Sequence, residues 1–298
     1  MIAVVCHDAG GAELLSSWVL LHNVSCCVVV DGPAKEIFEK KIGKTKNISL
    51  ESAIADSDWL LSGTSYSSNL EIRAIELARA NKKKSVAFLD HWCNYTDRFK
   101  REGKMFLPDE IWVGDEEAYK IANKEFSSVK IHLKINPYFE FLRGEFEKLG
   151  HKKRNIRQVP TALYVCSPIN ELALRHYGDE KYWGYTEEEA IRYFMENLYA
   201  LNYKEINVVI RPHPSENQRK YDWVLNEFGE QVKSGGNKTL LEEVFDAELV
   251  VGCNSMAMVV GLIAGKRVIS GLPPGHRTYC LPMPEIEHLH NIIEQHGE

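Results

Sequence analysis

Two segments of this chain carry side chains whose types and spacing suit chemistry on an anion. Arg211-Pro-His-Pro-Ser-Glu216 follows directly on the apolar, β-branched run 206–210, the pattern of a buried strand that stops at a functional edge. Pro212 and Pro214 fix φ and remove two backbone donors, so Arg211 and His213 stand on a stiff, non-helical turn. Ser215 is placed to cap a helix beginning at Glu216. A cation and a titratable imidazole at a strand's C-terminal end suit a phosphate; the competing reading is a turn with a surface histidine. The second segment, Cys6-His7-Asp8-Ala9-Gly10-Gly11-Ala12, closes the first strand and opens a helix. Gly10 and Gly11 let backbone and ligand approach closely, and the helix start adds free N–H groups. The segment is neither G-x-G-x-x-G nor a Walker A loop, which disfavours NAD and P-loop chemistry. His7 and Asp8 are placed for proton transfer, with Asp8 as a plain helix cap the alternative.

Further strand-end loops add candidates. Asp90-His91-Trp92-Cys93-Asn94-Tyr95 runs on to Arg98. There the Trp92 and Tyr95 rings could stack on a sugar or base, and Asp90, His91 and Arg98 could hold hydroxyls or charge. The alternative is an internal, salt-bridged loop. Gly63 to Ser68 reads as turn chemistry. Asn254-Ser255 joins a strand to an apolar helix, with Ser255 at the N-cap facing an anion. Ser167 and Asn170 leave another strand toward the same ligand, and His276-Arg277 ends a stiff late loop.

These loops need a scaffold that gathers strand ends, and the hydrophobic pattern supplies one. In the first half strands are expected over 2–6, 25–30, 59–62, 85–89, 110–113 and 129–132, with helices over 12–22, 34–41, 50–55, 68–81 and 116–124. The second half repeats the alternation, with strands over 162–166, 206–211, 231–233, 249–251 and 268–270 and helices over 186–201, 216–228, 239–245 and 255–264. Such alternation implies parallel sheets covered on both faces. The expected organisation is α/β: two Rossmann-like, doubly wound domains over 1–136 and 161–298, facing a central cleft, with a linker over 137–160. Within that linker the charged segment 139–158 reads as a helix plus an interdomain connection, and its basic run His151-Lys-Lys-Arg154 as solvated.

Composition narrows the classes. The chain has 298 residues, 44% hydrophobic and 26% charged, with a net charge of −6. It offers no electrostatic case for nucleic acid, and no apolar stretch reaches the length of a membrane span. Seven cysteines without framework spacing point to free thiols, with Cys6, Cys26, Cys27, Cys166 and Cys253 buried, and to a cytoplasmic protein. No Cys/His spacing resembles a zinc site.

Arg211-Pro-His-Pro, together with Asn254-Ser255 opening a helix that ends at Gly265-Lys-Arg-Val-Ile and with Gly10-Gly11, resembles glycosyltransferases of the two-Rossmann-domain (GT-B) architecture. It is most similar to capsule and Kdo transferases, bacterial sialyltransferases and CDP-glycerol glycerophosphotransferases. The resemblance implies that His213 and Ser255 hold the donor's nucleotide phosphate and that Asp8, or else His7, is the base. Asp8-Ala-Gly-Gly departs from the acidic-acidic-Gly motif of the sialyltransferases. The expected activity is transfer of a sugar from a nucleotide-activated donor to a glycan or lipid-linked hydroxyl in bacterial surface polysaccharide synthesis, with neither metal nor cofactor. Arg211, His213, Asn254, Ser255, Ser167, Asn170, Gly10 and Gly11 would serve the donor, and Asp90, His91, Trp92, Tyr95 and Arg98 the acceptor. The alternatives are a nucleotide-sugar epimerase or hydrolase on the same fold, or a non-catalytic nucleotide-binding or scaffold protein. Sugar, acceptor, stereochemistry, peripheral membrane contact and oligomeric state stay open.

Overall fold

The computed structural model describes residues 1–44, 48–66, 68–150, 159–277 and 280–296. It divides into two compact units, Met1–Phe141 and Leu142–Glu298. In the first, strands β1 (Ile2–Cys6), β2 (Cys26–Val30), β3 (Trp59–Ser62), β4 (Lys84–Phe88), β5 (Lys100–Arg101), β6 (Lys104–Met105), β7 (Glu110–Val113) and β8 (Lys130–Leu133) are separated by helices. These are α1 (Ala9–His22), α2 (Ala34–Ile42), α3 (Leu50–Ala55), α4 (Leu70–Ala80), α5 (Tyr95–Arg98) and α6 (Glu116–Glu125). Helix α7 (Pro137–Gly150) follows and spans the boundary between the units. Six strands form a parallel sheet in the order β2-β1-β3-β4-β7-β8, while β5 and β6 make a separate antiparallel hairpin.

The second unit has strands β9 (Thr161–Val165), β10 (Asn207–Arg211), β11 (Val232–Ser234), β12 (Leu249–Gly252), β13 (Arg267–Ser270) and β14 (Glu287–His288). Its helices are α8 (Ile169–Tyr177), α9 (Glu187–Glu196), α10 (Asp222–Phe228), α11 (Leu240–Asp246), α12 (Met256–Ile263) and α13 (Leu289–His296). The parallel sheet runs β11-β10-β9-β12-β13-β14. Both β1 and β9 are buried along their whole length, as strands sandwiched between helix layers must be. Helices α9 and α11 start at full capping boxes, Thr186 with Glu189 and Thr239 with Glu242, each meeting two otherwise orphaned N–H groups.

The expected α/β architecture of two doubly wound units is present. The differences are local. The helix expected from Glu216 begins at Asp222, because Glu216 turns inward instead of opening a helix. The segment 186–201 is helical to Glu196 and then tightens into a 3-10 turn, Leu198–Leu201. Helices α5, α8 and α13, strand β14 and the β5–β6 hairpin were not expected. All seven cysteines are free, but Cys26 and Cys27, on edge strand β2, are half-buried rather than buried. The basic run His151-Lys-Lys-Arg154 lies outside the described residues.

What matters for function is where the strand order reverses. In the first sheet β2 lies on one side of β1 and β3 on the other; in the second, β10 and β12 flank β9. In open α/β sheets ligands collect beyond the C-terminal ends of the strands at such reversals.

Candidate active site

At the reversal in the first unit stand His7 and Asp8. The Asp8 carboxylate accepts from Ser65 Oγ at 2.8 Å and from the Tyr66 amide at 3.3 Å, which ties the end of β1 to the loop after β3. His7 Nδ1 lies 2.7 Å from Asp8 Oδ1. A carboxylate only accepts, so Nδ1 carries a proton, and in the neutral ring the lone pair is on Nε2. Nε2 lies over Gly32, where a Cβ would come within 2.5 Å. Asp8 makes no side-chain cap to α1, so the simple capping alternative fails.

Beneath this pair lies Glu71, at the start of α4 and only 3% exposed. Its Oε1 accepts the His7 amide at 2.7 Å, and its Oε2 has no partner. Burial pushes its pKa up to about 7, and the nearby Asp8 charge adds to that push. Glu71 was missed, although the sequence held a signal. It falls one turn before Ala74 and Ile75 on the apolar stripe of α4, where a carboxylate needs a reason.

The glycine-rich start of α1 is not an open cradle. A Cβ on Gly10 would sit 2.0 Å from Asp90 Oδ2, and one on Gly11 3.0 Å from Cys6 Sγ. The chain's own Asp90 takes the place expected for a donor phosphate, and Gly11 permits helix-to-strand packing. Asp90 Oδ1 is held by Arg98 Nη1 at 2.7 Å, and the same nitrogen donates to Thr64 Oγ1 at 2.8 Å. The acceptor loop is likewise turned inward. Trp92 is 5% exposed and donates from Nε1 to both oxygens of Asp115, and Tyr95 is fully buried. Neither ring is available as a stacking platform, because both went into the core that the loop caps. His91 is half-buried beside Cys93 Sγ at 3.4 Å, and burial lowers its pKa. Asp90, His91, Trp92, Tyr95 and Arg98 thus form the internal, salt-bridged loop.

In the second unit the register brings Arg211, Val165, Gly252 and Ser270 level across four neighbouring strands. The loops after β10, β9, β12 and β13 therefore leave the sheet side by side, each about 5 Å from the next. His213 Nδ1 accepts from the Ser215 amide at 3.2 Å and meets Ser215 Oγ at 2.8 Å. The neutral ring then carries its proton on Nε2, a donor left for a ligand, and burial lowers the His213 pKa. Ser255 Oγ accepts from the Ala257 amide at 3.2 Å, which leaves its hydroxyl hydrogen to donate. Asn254 Oδ1 is spent on the Cys280 amide at 2.9 Å, and Asn170 exchanges two hydrogen bonds with Glu187. Arg211 is not a free cation. Nη1 pairs with Glu243 at 2.5 Å and donates to Lys238 O, because the strand alternation points it to the sheet face and not past its end.

Ser167 lines a cavity of about 10 Å³ with Tyr164, Tyr221 and Cys253, room for one water. A concavity of about 620 Å³ opens over the sheet face at Thr161, Leu163, Asn207 and Val209, and none of His213, Ser167 or Ser255 lines it. Among the described residues no group of three or more His, Cys, Asp or Glu could hold a metal ion, and no helix is long and apolar enough to cross a membrane.

The chain matches no protein-family profile and no curated protein by sequence. Solved structures do match it. UDP-GlcNAc 2-epimerase from Methanocaldococcus jannaschii aligns with a TM-score of 0.63 at 11% identity, over 90% of this chain and 83% of that one. The Neisseria meningitidis UDP-GlcNAc 2-epimerase bound to UDP-GlcNAc gives 0.64 at 13%, over 99% and 90%. S. aureus MnaA in complex with UDP gives 0.60 at 11%, over 100% and 87%. The chain has a GT-B fold. At such identities the likeness speaks for the GT-B architecture alone, and the chemistry has to be argued from this chain's own residues.

Glu71 yields a direct test. Its raised pKa means that the folded protein keeps a proton there which the unfolded chain releases at lower pH. The stability it contributes is complete at low pH and is lost as pH rises through about 7. Glu71→Gln keeps an acceptor for the His7 amide and cannot ionise. Urea unfolding should find this variant more stable than the parent at about pH 8, with the gap closing towards about pH 5. A gap of equal size at both would mean that Glu71 does not titrate in that window.

Proposed function

We propose that this protein is an enzyme acting on nucleotide-activated sugars, a glycosyltransferase that moves the sugar to a hydroxyl acceptor. The observation that carries the reading is the His7–Asp8 pair at the first sheet's reversal point. Asp8 holds the imidazole in the tautomer whose Nε2 can take a proton, the arrangement by which a carboxylate orients a general base. The base is therefore His7, with Asp8 as its orienting partner, instead of Asp8 itself. The second unit supplies the donor contacts. His213 Nε2–H, the Ser255 hydroxyl at the start of α12 and the Ser167 hydroxyl are donors on adjacent strand ends, suited to the charge that develops on the departing phosphate. Arg211 and Asn170 act one step back, as braces for these loops.

A nucleotide-sugar epimerase is the second reading, favoured because the structures aligning at TM-scores of 0.63 and 0.64 are UDP-GlcNAc 2-epimerases. Incubation with UDP-, CDP-, CMP- and GDP-linked sugars separates the two. The transferase releases nucleotide only when an acceptor is present. Conversion of the sugar without release of nucleotide would establish the epimerase, and binding without any turnover would leave a nucleotide-binding protein.

His7→Gln should lower turnover by about 10²–10⁴-fold with donor affinity nearly unchanged. Asp8→Asn should fall in the same range, because the ring loses its fixed tautomer. Full activity of the His7 variant beside an inactive Asp8 variant would return the role of base to Asp8.

Initial rates should survive excess EDTA. His213, the exposed Arg277 and the first turn of α12 supply positive character for a phosphate. Loss of rate in EDTA, restored by magnesium, would instead mean a metal-bridged pyrophosphate held by one or two carboxylates.

A further inference from the structure

The turn that carries His213 is fastened from below. The Glu216 side chain is fully buried; its Oε2 accepts the His213 amide at 2.8 Å, and its Oε1 accepts Lys220 Nζ at 2.6 Å and Tyr221 Oη at 2.9 Å. The Lys220 ammonium also meets Glu187 Oε2 at 2.5 Å and stands 3.7 Å from Glu171 Oε1. Glu187 in turn is locked to Asn170, its Oε1 accepting the Asn170 amide at 3.1 Å and its own amide donating to Asn170 Oδ1 at 3.0 Å. One ammonium therefore joins the turn after β10 to the loop after β9.

We propose that Lys220 is a positioning residue of the donor site, holding the His213 turn and the Ser167–Asn170 loop in one frame through Glu216 and Glu187. This rests on the reading of the second unit as the donor side. Three carboxylates, Glu171, Glu187 and Glu216, surround this single cation, and two of them are almost wholly buried. Without the ammonium those two acids are left uncompensated and repel each other, which drives the two loops apart. Burial alone would favour the neutral amine, but the hydrogen bonds that Lys220 donates to the Glu187 and Glu216 carboxylates outweigh it and keep Lys220 charged. A lysine that served only to hold the fold would not need to sit where two ligand-facing loops converge.

The test uses the full chain with Lys220→Met and Lys220→Arg, read two ways. The first is the titration of the His213 imidazole by NMR. The Met variant should shift the midpoint upward, because Glu216 then acts on His213 without its counter-charge, and the Arg variant should stay near the parent. The second is calorimetric affinity for UDP and CDP, measured where each variant is folded. The Met variant should bind roughly ten-fold more weakly, the loss expected when a charge-assisted contact is set out of place, and the Arg variant should recover most of it. A lower melting temperature with unchanged affinity and an unchanged His213 midpoint would overturn the proposal and make Lys220 structural. Should the Met variant fail to fold, Lys220→Gln, which removes the charge and keeps a hydrogen-bond donor, decides: an unmoved His213 midpoint overturns the proposal. If the parent protein binds neither nucleotide, the donor reading falls, and the His213 titration alone decides whether Lys220 positions that turn.

Discussion

Backbone N–H groups at the ends of parallel strands have to be satisfied where no further ladder continues, and in this protein buried and half-buried carboxylates do it. Glu71 receives the amide of His7, Asp8 that of Tyr66, Glu187 that of Asn170, Glu216 that of His213 and Glu243 that of Gly236. A carboxylate taken out of water is costly unless its oxygens are met by several donors. Here each is, by an amide together with a cation, hydroxyl or imidazole, the exception being the orphan Oε2 of Glu71. Charge-assisted bonds of this kind are roughly twice as strong as neutral ones, so the loops that carry the candidate chemistry are held more firmly than loops usually are. The shape of the site follows from these anchors more than from the glycines and prolines of the loops themselves.

The anchors work because the sheets deliver the loops to the same place. Reversal of strand order beside β1 puts Asp8 against Ser65, and reversal beside β9 puts Ser167 on one small cavity with Cys253. The two units reach this by different orders, with one strand beyond the reversal in the first and two in the second. The first unit collects groups able to move a proton, while the second collects neutral donors.

Most of the scaffold was legible in the sequence because periodicity reports burial. Runs such as Ile2–Cys6 and Leu249–Gly252 are apolar for the reason that a central parallel strand has no exposed face. The loops were harder. Trp92, Tyr95 and Arg98 look like a binding surface when read as a string, since polar and aromatic residues cluster on both ligand sites and well-braced turns. Only the partners Asp115, Thr64 and Asp90 distinguish the two, and they lie 23, 34 and 8 residues away. Arg211 misled for a simpler reason. As the last residue of β10 it shares the face of Asn207 and Val209, so it points across the sheet while His213, two residues on, reaches the edge. Glu216 had a readable signal in its spacing to Lys220, four residues on, although nothing in the sequence told that Glu187 would complete the network.

These pairings leave an electrostatic consequence. The cations around these strand ends are largely compensated: Arg98 by Asp90, Arg211 by Glu243 and Lys220 by Glu187 and Glu216. Attraction of an anionic ligand over a distance is correspondingly weak in a chain of net charge −6. What remains at the strand ends is a set of oriented dipoles, His213 Nε2–H and the hydroxyls of Ser167 and Ser255. Dipoles held in place need no reorganisation when charge develops and lose little to salt, whereas exposed cations attract strongly and are screened within about 10 Å at ordinary ionic strength. An arrangement of this kind favours a charge that grows during a reaction over one already present in the substrate. That preference suits the departure of a nucleotide phosphate better than its storage, and it is the physical reason for reading the second sheet's edge as part of a catalyst instead of a carrier.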